Sequence, residues 1–219
     1  MSYFRHLLCL LLGAFGLCLI GRAEVTVLAL GDSITEGGDH FVCYRQYLPA
    51  LLEEAGGRTY RFIGPKQDNY SAHAGYSGKN TAYLASIIDG VYRDYPADLV
   101  LLHSGHNSFS RDKPVTGILQ STEQMIEAIL NINPNATILI AQVIPAGKLP
   151  KYDYIPALNE GLAELVQSSP HKRHLILVDQ AEGFYWESDT VSDKVHPNEA
   201  GARKMAAQWA QAIRGLALP

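Results

Sequence analysis

Cysteine is scarce. The chain of 219 residues holds three: Cys9, Cys18 and Cys43. Two of them fall in the first 23 residues, so a chain trimmed there keeps Cys43 alone. No internal disulfide can then form, and core burial must carry the stability. A solitary thiol of this kind reads as a small buried apolar residue rather than a nucleophile. Positive charge is thin as well. The formal net charge is −4 and no long basic run exists, which excludes nucleic acid as an expected partner. Internal repeats, low-complexity tracts and linkers are missing too, so residues 24–219 read as one domain.

The N-terminus carries a different pattern. Arg5 and His6 precede an apolar run over residues 7–20, and Gly21, Arg22 and Ala23 follow. A basic start, an apolar segment of this length and small residues after it predict a secretory signal peptide over residues 1–23. The run is too short for a comfortable membrane span, so stable membrane insertion is not expected. The expected location is secreted or periplasmic. Removing the segment leaves 16 basic and 22 acidic side chains, a net charge of about −6.

What is present is globular. Hydrophobic residues make up 47% and charged residues 18%, which suits a packed core rather than a disordered or fibrous chain. Apolar β-branched runs alternate with helical patterns. Strands are predicted at residues 25–30, 60–63, 99–102, 137–143 and 175–178. Helices are predicted at residues 44–55, 81–92, 117–130, 154–167 and 198–213. Several strands are apolar throughout, as strands covered on both faces must be. The expected fold is α/β: a three-layer α/β/α sandwich of flavodoxin-like type on a five-stranded parallel sheet.

In open parallel sheets, ligands bind beyond the carboxyl ends of the strands. Polar residues recur at that edge. Gly31, Asp32 and Ser33 follow the first strand, and His73, Gly75 and Gly78 lie after the second. His103, Ser104, Gly105, His106 and Asn107 follow the third, and Asp193 and His196 precede the last helix. A serine hydroxyl needs a base to take its proton, and the base needs a third group to orient it. Ser33, His196 and Asp193 supply those three types. Taken singly, each has a plainer reading: a turn serine, a loop histidine before proline, a turn acid. An oxyanion also needs donors, and the glycine turn at 75–78 and the Asn107 amide are candidates.

The ordered blocks GDSITEG, GYSG, SGHN and DKVH resemble the SGNH hydrolase superfamily, also called GDSL esterases, from Gly31 to His196. The resemblance implies Ser33 as nucleophile, His196 as base and Asp193 as its orienting acid. It implies an oxyanion hole made by the Ser33 and Gly78 backbone N–H groups and the Asn107 side chain. Gly78 is matched rather than Gly75 because it directly follows the small residue Ser77. Ser108 stands where many members carry an acid after the asparagine. CYRQYL, FIGP and HAGYSG resemble carbohydrate esterase family 3, mostly acetylxylan esterases. Arg45 of that set reads as a structural anchor for the loops.

These resemblances imply a carboxylic-ester hydrolase that removes O-acetyl groups from carbohydrates, acting on an acetylated saccharide or another small ester. Two alternatives stand beside it. One is a lipase, lysophospholipase or thioesterase with the same triad. The other is an inactive saccharide-binding module on the same fold. No cofactor is expected: Asp32 and Glu36 flank the first turn and would repel the phosphate of a flavin. No metal is expected either, because His73, His103 and His106 form no zinc spacing. His106 reads as a substrate contact or as a rim histidine without a role. The sequence carries no signal for the oligomeric state.

Overall fold

The computed structural model describes residues 24–54, 56–108 and 114–216. The signal segment expected at residues 1–23 lies outside them.

β1 (Glu24–Gly31) is the central strand, and after its first residues it is buried along its length. β5 (Leu99–His103) runs parallel on one side of it, pairing Val27 with Leu99 and Gly31 with His103. β6 (Thr137–Gln142) and β7 (Leu175–Asp179) continue the parallel sheet outward. The other side of β1 is shared. β2 (Thr59–Ile63) pairs with its first half, and β4 (Ala72–Gly75) pairs with Leu30 and Gly31 at its carboxyl end. β3 (Lys66–Gln67) folds back antiparallel on β4.

The sheet therefore has the five parallel positions that were expected, in the flavodoxin-like order 2-1-3-4-5. Its second position is split between β2 and β4, and the antiparallel β3 adds a seventh strand. The split delivers the glycine turn to the same edge as Ser33. Gly31 sits in the crowded join: a Cβ there would lie 2.3 Å from the His103 carbonyl oxygen.

Alternate strand residues feed two layers. Leu28, Leu30, Val100 and Ile138 face α3 (Thr81–Asp94), α4 (Pro114–Ile132) and α5 (Ile155–Ser168). Val27, Leu99, Leu101 and Leu139 face α2 (Leu48–Glu54) and α7 (Glu199–Arg214), where Trp209 is fully buried. This is the α/β/α sandwich. Two short helices complete it: α1 (Ser33–Glu36) and α6 (Trp186–Asp189). The helix expected at residues 44–55 is a 3-10 turn at Tyr44–Gln46 followed by α2. No helix among the described residues is long and apolar enough to cross a membrane.

Candidate active site

The chain leaves β1 through Gly31 and turns at once into α1. Asp32 caps that turn, its Oδ1 accepting the Ile34 N–H at 3.0 Å. Ser33 is the first helical residue, so its own N–H has no acceptor inside the helix. The hydroxyl is turned toward the loop between α6 and α7. That loop is fastened at several points. Lys194 takes a left-handed φ of 61°, and its carbonyl accepts the Gly147 N–H at 2.7 Å. Val191 donates to the His196 carbonyl at 2.9 Å, and Val42 to the Pro197 carbonyl at 3.1 Å. Asn198 then caps α7, accepting from the Gly201 N–H, while its Nδ2 donates to the Ser188 and Thr190 carbonyls.

The outcome is a three-member chain. Ser33 Oγ lies 2.8 Å from His196 Nε2, and His196 Nδ1 lies 2.5 Å from Asp193 Oδ2. Asp193 Oδ1 accepts the Val195 and His196 backbone N–H groups at 2.9 and 3.0 Å. Partial burial opposes ionisation of Asp193, but the His196 ring and those two amides outweigh it and hold its carboxyl below the usual value. An ionised Asp193 can only accept, so Nδ1 carries the imidazole proton and Nε2 presents a lone pair to Ser33. Phe41, which the sequence did not single out, stacks on the imidazole with ring centroids 4.1 Å apart and planes 22° apart. It leaves no periodic signal in the sequence, since it stands in a loop.

The second and third blocks leave β4 and β5 on either side of Gly31. Gly78 has φ +73°, a conformation that side chains disfavour. Glu36 Oε2 accepts the N–H of its neighbour Ser77, which ties the turn to α1. Asn107 follows β5, and its Nδ2 donates to the Lys79 carbonyl at 3.1 Å. One of its two amide protons is thus spent on orientation, and the other has no partner among the described residues. Gly75, which the sequence offered as part of a turn, ends β4 and is a packing position: a Cβ there would lie 2.5 Å from the Glu36 nitrogen.

Arg45 is 0% exposed and joins these parts. Its guanidinium donates to the Thr35 and Glu36 carbonyls, both at 2.6 Å, to Asp68, and to Ser71. Burial alone would raise the Asp68 carboxyl. The Arg45 pair and the Ser71 and Tyr70 amides bring it down to about 2. Asp32 has no such cation. Complete burial pushes it up to about 7 against the pull of the Ile34, Gly105 and His106 amides.

The remaining histidines stay apart. His106 is buried, with Nε2 on the Ile144 carbonyl at 2.9 Å, and stacks on the buried His103 at 5.6 Å between centroids. His106 is therefore a wall residue rather than a rim one. Burial lowers it to about 4 and lowers His103 well below its usual value, so both are neutral donors or acceptors at neutral pH. His73 lies on β4, separated from them by β1. Among the described residues no three His, Cys, Asp or Glu side chains converge as a metal site. Cys43 is buried and unpaired.

A hydroxyl, an imidazole and a carboxylate in file at the carboxyl edge of a parallel sheet form the arrangement used for nucleophilic acyl transfer. The comparisons with known proteins agree. Residues 29–204 match the GDSL-like Lipase/Acylhydrolase family, and the chain belongs to that family. A multidomain esterase of Ruminococcus flavefaciens is 25% identical over 87% of this chain, which spans 28% of that protein's length. A family 3 carbohydrate esterase of Clostridium thermocellum superposes with a TM-score of 0.73 at 26% identity, covering 87% of this chain and 96% of that one. A carbohydrate esterase family 3 structure from Talaromyces cellulolyticus has a TM-score of 0.76 at 24% identity, with the same coverage of each chain, and speaks for the fold.

Proposed function

We propose that this chain is a serine esterase that removes O-acetyl groups from carbohydrates. The observation that carries the chemistry is the unbroken chain from Ser33 Oγ through His196 to Asp193, at 2.8 and 2.5 Å. The Ser33 oxygen attacks the acetyl carbonyl while His196 Nε2 takes its proton. The carbonyl oxygen becomes an oxyanion, met by the Ser33 and Gly78 N–H groups and the second Asn107 amide proton. His196 then protonates the sugar oxygen, the C–O bond breaks, and acetyl-Ser33 remains. Water, deprotonated by His196, attacks that ester, and acetate leaves as Ser33 regains its proton. Asp193 keeps the imidazole in the tautomer that this sequence requires.

The carbohydrate part rests on likeness to the family 3 esterases. The secretory signal expected from the sequence of residues 1–23 would suit such a substrate, since acetylated polysaccharides lie outside the cell.

Ser33→Ala tests the chemistry. With p-nitrophenyl acetate, turnover by purified protein falls by roughly 10³-fold or more if Ser33 acts within the triad. Turnover at the parent rate contradicts the mechanism.

A further inference from the structure

A groove of about 570 Å³ opens beside the site, and the chemistry described so far does not use it. Its rim is Glu36, Gly37 and Gly38, the residues that end α1 and follow it. Gly38 is bridged to Phe41, and Phe41 covers His196. The groove is thus joined to the ring that covers His196 through the Gly38–Phe41 bridge, and it runs toward the β3–β4 hairpin, with His73 and Asp68 in its lining.

His73 is 3% exposed, and its Nε2 meets no acceptor within hydrogen-bond distance among the described residues. Its Nδ1 accepts the Gly75 N–H at 3.0 Å, so in the neutral ring Nε2 carries the proton. Burial, then the nearby Arg45 charge, lowers His73 to about 4, which keeps it neutral at neutral pH. Nε2 lies 3.7 Å from Asp68 Oδ2, beyond hydrogen-bond reach. Asp68 is a pure acceptor, held ionised by Arg45. An oxygen seated to one side of that pair, about 2.8 Å from each atom, accepts from the first and donates to the second. A sugar hydroxyl does both, as water does; a carboxylate only accepts and an ammonium only donates.

The walls select further. Glu36 is paired with Lys66 and Asp68 with Arg45, so neither calls for a charged ligand. Asp39 adds an acidic side chain that repels an anion. Tyr70 lines the same groove and is 46% exposed, offering a flat ring to the C–H face of a sugar.

We propose that this groove is a distal subsite for a neutral pyranose ring of the glycan whose acetyl group reaches Ser33. A sugar hydroxyl bridges His73 Nε2–H and Asp68 Oδ2, and the ring lies against Tyr70. This deepens the esterase reading and rests on it for the acetylated sugar that reaches Ser33.

The test is calorimetric titration of Ser33→Ala protein with xylotetraose, cellotetraose and tetragalacturonate. One or both neutral probes bind, and the anionic one does not. Adding Tyr70→Ala weakens the neutral probe by about tenfold, and Tyr70→Trp restores it. In the active enzyme, Tyr70→Ala lowers kcat/KM on acetylated xylotetraose relative to p-nitrophenyl acetate by a similar factor. Binding of neither neutral probe, equal binding of tetragalacturonate, or an affinity untouched by Tyr70→Ala overturns the subsite. Failure of the esterase reading looks different: no acetate leaves any glycan, while the titration still reports on the groove.

Discussion

Two neighbouring residues, Asp32 and Ser33, share one turn and have opposite surroundings. Ser33 faces the His196 lone pair, while Asp32 is sealed inside with no cation beside it. Its carboxyl is raised to about 7 by burial, whereas in an unfolded chain it sits at about 3.9. The folded state thus binds the proton more tightly. The stability this contributes is complete below the unfolded value and is lost as the pH rises toward and through about 7. Asparagine has the shape of the protonated acid and does not titrate. The melting temperature of Asp32→Asn, relative to the parent, should therefore rise between pH 4 and pH 8. A difference that is flat with pH contradicts this assignment. Ser33, His196 and Asp193 were legible in the sequence because their blocks come in order. Phe41 and the His73–Asp68 gap were not, because they depend on which loops meet in space.

Four strands were readable from their apolar runs: β1, β5 and β6 are buried along most of their length, and β7 is half-buried at the sheet's edge. β4 was not. Its Ala72–Gly75 segment has no apolar run, and pairing with Leu30 and Gly31 of β1 on one side and with β3 on the other makes it a strand. α4 begins at Pro114, ahead of the expected residue 117, because proline suits the first turn of a helix. α7 shows how an element serves the site. Asn198 caps its N-terminus and also holds two carbonyls of the preceding segment, two residues after His196. Asn198→Ala should destabilise the fold by about 1–2 kcal/mol in urea unfolding. It should lower kcat more than it raises KM, since it loosens the base rather than the substrate contacts. An unchanged kcat would separate the cap from the site.

At the scale of the molecule, the sheet edge gathers β1, β4, β5 and the loop before α7 into one site, and two helical layers seal the sheet behind it. The large exposed apolar side chains among the described residues are Tyr70, Leu149 and Tyr185, each on a separate segment. They form no broad apolar face for a lipid chain. Activity on p-nitrophenyl esters should therefore fall steeply from acetate to octanoate, and a profile that rises toward octanoate would move the substrate class to lipids. The central claim is that Ser33 attacks acetyl esters on carbohydrate. Acetate released from acetylated xylan, measured for the parent protein and for Ser33→Ala side by side, tests it most directly. Steady release by the parent and none above background by the variant is the predicted result; release by both, or by neither, contradicts it.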